Sequence, residues 1–454
     1  MPFDKFFRPK NVAIIGASHS EGKIGYIILK SFMDGFKGDI YPINPNTEPI
    51  LGKRVYPNVL DIPDKVDLAV ISIPAKGVPE ALADCVEKGV EVVIIISGGF
   101  SEIGNKHLEE ECRKIISGTK TRVIGPNCLG IYDSSSSVDT IFLPKERCGR
   151  PGKGDISFVS QSGAVGSTML DWLAEQGTGI GKFISYGNAM DITETDLIEY
   201  LGEDRDTRVI AVYLEGIKDS GKRFIEVCRR VSRKKPIIVL KAGKSEKGKK
   251  AVSSHTGSLA GSGNIYSGAF KQAGLIEAET WEELFDFART FSSQPLPRGK
   301  RLLIVTDGGG FGVLATDEAE RAGLELPEPS KELKKRLKDI LPDYTVKNNP
   351  IDLTGDADAE RYRLTLEETV KSKEFDAFLI ITLFQVPTLG EDVVDCITAM
   401  KKHNRPIVVC STGGEFSERM NKRLMANGVA VLPSPERAVK ALSALHRYWK
   451  YLTS

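Results

Sequence analysis

Short runs rich in Val and Ile, separated by amphipathic stretches, recur along the whole of this 454-residue chain. Apolar runs of that length, bounded by Gly, Pro and Asn, read as strands buried on both faces. Strands that alternate with helical patterns need crossover connections, which pair the strands in parallel and lay helices on both faces of the sheet. The fold class is therefore α/β with parallel sheets. In a first stretch, strands are expected at 11–16, 39–43, 67–73, 91–97 and 122–125, with a helix over 77–88. A second stretch places them at 156–159, 182–185, 209–214 and 236–240. A third places them at 302–305, 377–382, 406–410 and 429–432, closed by a helix carrying His446 and Trp449. Segments 144–155 and 292–299, rich in Pro, Gly, Ser or charge, read as linkers. Three domains follow, over 1–145, 155–292 and 299–454, as the length allows.

The second and third stretches echo each other. Ile156-Ser-Phe-Val-Ser160-Gln161-Ser162-Gly163 parallels Leu302-Leu-Ile-Val-Thr306-Asp-Gly308-Gly309-Gly310: a strand, a turn of small residues, then a helix. The general α/β pattern would also produce such an echo. A helix N-terminus presents unpaired N–H groups and roughly half a positive charge, so each turn is a place for phosphate. Ser160, Ser162 and Gly163 would hold it at one turn, and Gly308, Gly309 and Gly310 at the other.

The first stretch opens with Val12-Ala-Ile-Ile-Gly16-Ala17-Ser18, then Lys23 and Gly25, which resembles a dinucleotide-binding turn. Two departures argue against NAD. Ser18 replaces the glycine that lets the backbone approach a pyrophosphate. The next strand ends in Asn44-Pro45-Asn46, where a carboxylate would hold the ribose. A phosphorylated ligand fits better, with Ser18 and Lys23 as hydroxyl and point-charge donors. Ile73-Pro74, Ser97-Gly98 and Asn127-Cys128 also fall at carboxyl ends of strands, the edge where open α/β sheets bind ligands. Gly243-Lys244-Ser245 looks like the end of a P-loop, but the first glycine of that motif would fall on Ile238, inside a strand.

Basic and acidic residues balance, 62 against 61, which argues against a general nucleic-acid or membrane-surface role. No apolar run reaches ~18 residues, and the N-terminus lacks a secretory core, so a cytoplasmic, soluble protein is expected. The seven cysteines show neither Cys-x-x-Cys nor zinc spacing, so no disulfide framework and no metal are expected; Cys85, Cys228 and Cys410 read as small buried hydrophobes.

Of five histidines, His255 alone sits among small residues, Ser253-Ser254-His255-Thr256-Gly257-Ser258, after a basic run of Lys244, Lys247, Lys249 and Lys250. That context reads as a mobile loop. With an ordinary pKa of ~6.5, its imidazole is largely neutral and nucleophilic at physiological pH, suited to accept a phosphoryl group. An exposed loop histidine is the plainer alternative. Glu215 ends the apolar run 209–214 and so points to the ligand edge; a solvated strand-end glutamate is the alternative there. Asp191 could shape a ligand pocket or cap the helix that follows it. His19 lies in the first turn, and His107, His403 and His446 read as surface residues.

Gly16-Ala-Ser18, Gly125-Pro-Asn-Cys128, Ser160-Gln-Ser-Gly163, Glu215-Gly216 and Ser254-His255-Thr-Gly257-Ser258 occur in that order. With this ordered set, the chain resembles the α subunit of ADP-forming acyl-CoA synthetases, above all the archaeal acetyl-CoA synthetases, and more distantly the succinyl-CoA synthetase α subunit. It departs from the latter in reading His-Thr-Gly for His-Ala-Gly, and in carrying a third domain that the succinyl enzyme keeps in its β subunit. The resemblance implies a Rossmann-like CoA-binding domain followed by two flavodoxin-like domains. CoA would contact Gly16, Ala17, Ser18, Lys23, Gly25, Asn44, Pro45, Ile73, Pro74, Ser97, Gly98, Asn127 and Cys128. Gln161 and Asp191 would shape the acyl pocket. His255 would carry the phosphoryl group, with Glu215 accepting a hydrogen bond from its other ring nitrogen. CoA or acyl-CoA and phosphate are the implied substrates. ADP or ATP with Mg2+ would bind a separate ATP-grasp β subunit in an α2β2 heterotetramer. A CoA-sensing regulatory module of the same fold is the non-catalytic alternative; a nicotinamide oxidoreductase is disfavoured by Ser18 and Asn44.

Overall fold

The structure, a computed structural model, describes residues 3–256 and 263–454, with side chains throughout those ranges except at 252–256. The chain forms two compact units, Met1–Glu277 and Ala278–Ser454. In the first unit, β1 (Asn11–Ile15), β2 (Asp39–Ile43), β3 (Leu68–Ile71), β4 (Val92–Ile95) and β5 (Arg122–Ile124) make a parallel sheet in the order β2-β1-β3-β4-β5. Val12, Ala13 and Ile14 have no exposed surface, because helices cover both faces of this sheet. Burying each Val or Ile side chain contributes about 1.5–3 kcal/mol.

A second sheet takes β6 (Gly130–Asp133), β7 (Val138–Asp139), β8 (Ile156–Ser160), β9 (Lys182–Ser185), β10 (Val209–Leu214), β11 (Ile237–Lys241) and β12 (Ile276–Ala278), in the order β12-β11-β10-β8-β9-β6-β7. β8, β9, β10 and β11 pair in parallel, whereas β6 runs antiparallel to β9, and β7 antiparallel to β6. In the second unit β13 (Leu302–Thr306), β14 (Ile351–Asp352), β15 (Ala377–Ile381), β16 (Ile407–Cys410) and β17 (Ala430–Leu432) form a parallel sheet, β14-β13-β15-β16-β17. The helix Pro435–Thr453 closes it.

All three sheets share one plan. The first strand of each parallel set lies between the second and the third: β1 between β2 and β3, β8 between β9 and β10, β13 between β14 and β15. At that position the crossovers leave for opposite faces, and a crevice opens at the carboxyl ends of the strands, where ligands bind in doubly wound folds. The turns at Gly16, Ser160–Gly163 and Asp307–Gly310 follow those three strands. The echo between the second and third stretches therefore extends to the first, and it reflects the doubly wound plan as much as any special kinship of the two.

Four strands escape the sequence pattern. β7 and β14 have two residues each, too few to show a period, and β6 begins at a glycine. An added Cβ at Gly130 would lie 2.3 Å from Thr140 Oγ1. β12, at three residues, is equally short. The expected linkers are packed, not loose. In 144–155, Cys148 is buried and Arg150 Nε donates to Asp139 at 2.8 Å, with both side chains almost wholly enclosed. In 292–299, Gln294 accepts from Ile407 N at 2.9 Å and donates to Gly428 O at 3.0 Å. His446 is half-buried, not on the surface; Nδ1 lies 3.0 Å from Gly299 O, its ring lies against Trp449, and burial lowers its pKa. His19, His107 and His403 are exposed. Among the described residues no helix is long and apolar enough to cross a membrane.

Two close approaches fix the ligand edge of the first unit. A Cβ at Gly25, in the first turn of the helix Ile24–Met33, would lie 1.9 Å from Gly16 O and 2.9 Å from Ala17 Cα. Both contacts are to backbone, so nothing can swing aside. Gly25→Ala is therefore expected to destabilise the unit by about 1–3 kcal/mol or more, read by thermal melting. The second approach joins the first two sheets. In the loop after β9, Gly187 (φ +55°) packs so that a Cβ would sit 2.3 Å from Pro126 O. Asn188, Met190 and Ile192 donate their N–H groups to the carbonyls of Pro126, Gly125 and Val123 at 3.0, 2.9 and 3.2 Å.

Candidate active site

The centre of the site is built on the turn after β8. Ser160 Oγ donates to Ser162 O at 2.7 Å, and Ser162 Oγ accepts from Val165 N at 3.3 Å, capping the helix Gly163–Glu175. First-turn N–H groups of such a helix have no intrahelical acceptors, which suits an anion. The helix can approach the sheet because Gly166 has no side chain; a Cβ there would lie 2.6 Å from Phe183 Cζ.

Gln161 reaches from this turn to the end of β10. Its Oε1 accepts from Glu215 N at 2.8 Å and Gly216 N at 3.0 Å. Among the described residues its buried Nε2 has no hydrogen-bond partner. Glu215 is 5% exposed, so it is not the solvated strand-end glutamate. Tyr213, two residues earlier on the same strand face, hydrogen-bonds the Glu215 side chain; burial and the Glu215 charge together push its phenol up to about 12. Lys241, the last residue of β11, donates from Nζ to Glu215 O at 2.8 Å and to Ala242 O.

His255 differs from its expected setting. Its backbone belongs to the helix Glu246–Thr256 and not to a loop. The Lys and Ala residues that precede it are good helix formers and carry the helix through the small residues. Ser245 Oγ accepts from Gly248 N at 3.0 Å at the start of that helix. The side chain of His255 and residues 257–262 lie outside the described residues.

The ligand edge of the first sheet is a chain of linked turns. Gly16 (φ +94°) and Ala17 both donate their N–H groups to Ile43 O, and Asn44 Nδ2 donates to Ala17 O at 2.7 Å, joining the turns after β1 and β2. Ser18 Oγ accepts from Ser20 N at 3.1 Å. Lys23 and Pro45 are exposed beside this turn. Ser97 Oγ donates to Ile73 O at 2.5 Å, and Asn127 N donates to Ser97 O at 2.9 Å, joining the turns after β3, β4 and β5. Pro74 and Gly98 are exposed on the same edge.

Cys128 is the exception. Its thiol is buried, lies 3.3 Å from Ile95 O, and is pushed up to about 12 by burial, leaving only its backbone for a ligand. In the folded protein it is expected to react with thiol reagents at neutral pH orders of magnitude more slowly than a free cysteine, because almost no thiolate forms; timed alkylation with peptide mapping checks this.

Asp191 is committed elsewhere as well. Its carboxylate accepts from Arg122 Nε at 2.9 Å and Val123 N at 2.8 Å, fastening the loop after β9 to β5. It does not cap the next helix. Thr193 does, in a capping box with Asp196. Sequence reasoning missed Tyr213 and Lys241: Tyr213 reads as an ordinary strand residue, and Lys241 lies one position past the end of the expected strand.

In the second unit, Gly308 precedes the helix Gly309–Arg321 with no side-chain cap. Thr306 Oγ1 accepts from Gly308 N at 3.0 Å. Asp307 is buried, accepts from Leu383 N, and is raised to about 6 by burial. A Cβ at Gly309 would lie 2.8 Å from Asp352 Oδ2. Carboxylates thus flank this turn, where hydroxyls and an amide line the one after β8.

Comparison with known proteins agrees with this architecture. Residues 10–134 match a family model described as a CoA binding domain, 153–291 a succinyl-CoA ligase like flavodoxin domain, and 302–452 a ligase-CoA domain. The chain is 41% identical to the α subunit of acetate–CoA ligase (ADP-forming) I from Pyrococcus furiosus, over 99% of this chain and 98% of that one. It is 43% identical to acetate–CoA ligase (ADP-forming) of Methanocaldococcus jannaschii, spanning 62% of that longer protein. The acetyl-coenzyme A synthetase 1 of Ca. Korarchaeum cryptofilum, solved with phosphate and ADP, superposes with a TM-score of 0.93 at 38% identity, over 100% of this chain and 98% of that one. The chain belongs to the family of ADP-forming acetate–CoA ligase α subunits.

Proposed function

We propose that this chain is the catalytic α subunit of a cytoplasmic ADP-forming acyl-CoA synthetase that reversibly converts acetyl-CoA or another acyl-CoA, ADP and phosphate into carboxylate, CoA and ATP. A phosphate oxygen attacks the thioester carbonyl carbon. The C–S bond breaks, and the thiolate leaves as CoA once protonated. A ring nitrogen of His255 then attacks phosphorus in the acyl phosphate, the P–O bond to the acyl group breaks, and the carboxylate departs. ADP finally takes the phosphoryl group from the histidine. Positioning and charge neutralisation carry most of such a transfer.

In this reading Ser160, Ser162 and Gly163 hold the phosphate, with Gln161 and Asp191 bordering the acyl group, Asp191 through the loop it fastens. Gly308, Gly309 and Gly310 form a second phosphate turn, where Asp307 and Asp352 oppose any anion not accompanied by a cation. CoA lies along Gly16–Ser18, Lys23, Gly25, Asn44, Pro45, Ile73, Pro74, Ser97, Gly98 and Asn127, with the backbone of Cys128. Domains over 1–145, 155–292 and 299–454 divide this work. ADP with Mg2+ binds a separate ATP-grasp β subunit in an α2β2 assembly. The name of the Pyrococcus relative as a subunit supports a partner, as does the extra length of the Methanocaldococcus protein.

The observation that carries this reading is the tie from Gln161 to Glu215, which sets the phosphate turn and a buried carboxylate in one frame. The chain is mixed with acetyl-CoA, ADP and phosphate, with and without an ATP-grasp partner. ATP and free CoA are expected in equal amounts only with the partner. A regulatory module would bind CoA and form no ATP in either mixture.

A further inference from the structure

We infer that Lys241 is a positioning residue for this reaction: its ammonium, anchored on the Glu215 carbonyl, fixes the end of β10 and with it the aim of the Glu215 carboxylate. The inference rests on the proposed pairing of Glu215 with His255.

Lys241 faces Leu214 across the β10–β11 ladder, and its side chain reaches on to Glu215, the residue that follows β10. It is 3% exposed. Among the described residues its hydrogen bonds go to the main-chain carbonyls of Glu215 and Ala242, and its Nζ stands 4.6 Å over the ring of Tyr266. The charge of the Glu215 carboxylate acts on it as well. An apolar side chain would fill such a place without the cost of desolvating a charge. What the lysine adds is a charge-assisted bond directed at one peptide. Gln161 holds the same residue from the other side through its N–H, so the Glu215 backbone is gripped by both neighbouring strands. Such a grip matters because a misplacement of about 1 Å in a catalytic group can cost ~10²-fold in rate.

Among the described residues, the charged and titratable groups around Lys241 are Tyr213 from β10, Glu215 just after it, Lys244 on the loop after β11, and Tyr266 on the helix Gly263–Ala273. Burial lowers the ammonium to about 8, with the Glu215 charge opposing and Lys244 adding to the shift. As a base whose pKa falls on folding, it is protonated below about 8 and loses its charge above.

The test is a mutant cycle in the full enzyme with its ATP-forming partner. Lys241→Met is expected to lower kcat about 10–100-fold with KM for acetyl-CoA unchanged. In a Glu215→Gln background it should cost less than about twofold, because the carboxylate whose aim it sets is already gone while the carbonyl it holds remains. Losses that multiply in the double variant, or wild-type kcat in Lys241→Met, overturn the inference. If the Met variant does not fold, Lys241→Arg decides. The wild-type kcat should fall along a limb centred near pH 8, and that limb should be absent in the arginine variant, whose charge does not titrate there; identical profiles overturn the inference. Retained turnover in both His255→Ala and Glu215→Gln would instead remove the underlying reaction scheme, whatever Lys241 does.

Discussion

In His255→Ala, labelled phosphate supplied with acetyl-CoA leaves no acid-labile, base-stable label on the chain, and ATP formation falls by about 10⁴-fold or more. The magnitude follows from the chemistry: no other group in the proposed scheme can store the phosphoryl moiety between the acyl phosphate and ADP, and a covalent nucleophile has no substitute of its kind. A drop of that size corresponds to roughly 5 kcal/mol of lost transition-state stabilisation. CoA binding should persist, since its expected contacts lie on the turns after β1–β5. Label that survives in the variant would place the phosphoryl carrier elsewhere.

Glu215→Gln is expected to lower kcat by about 10²–10³-fold while leaving CoA affinity intact. The substitution keeps the volume, and its backbone bonds to Gln161 and Lys241 do not involve the side chain. The Tyr213 phenol can still donate to an amide oxygen. What disappears is the negative charge that would hold an imidazole N–H in one tautomer and stabilise the ring as it gains the phosphoryl group. Stopped-flow turnover combined with a CoA titration separates the two effects; unchanged turnover would remove Glu215 from the mechanism.

The parallel architecture was legible because strands buried on both faces must be apolar throughout, and the runs at 39–43, 182–185 and 209–214 coincide with β2, β9 and β10 to the residue. The short strands were not, since two or three residues show no period; their place in the sheets comes from tertiary packing. The turns were readable wherever a glycine served a close approach, as at Gly16 and Gly25. The setting of His255 misled, because small residues near it suggested a loop while the lysines upstream extend a helix. Cys128 and Asp191 show the further limit. Position at a strand end says that a residue is near the ligand edge, but not which way its side chain turns. The Cys128 thiol turns inward to Ile95, and the Asp191 carboxylate is spent on Arg122. Lys241 was hidden for the opposite reason, since a lysine after an apolar run reads as the start of a solvated stretch.

The antiparallel pair β6–β7 lies upstream of the segment 144–155, yet it completes the second sheet along β9. A polypeptide cut to begin at Pro151 would therefore leave Lys182–Ser185 as an unpaired strand edge, ready to recruit strands from other molecules. The halves on either side of that stretch should behave as one inseparable piece, with the polypeptide that begins at Pro151 recovered as aggregates and the uncut chain as monodisperse protein.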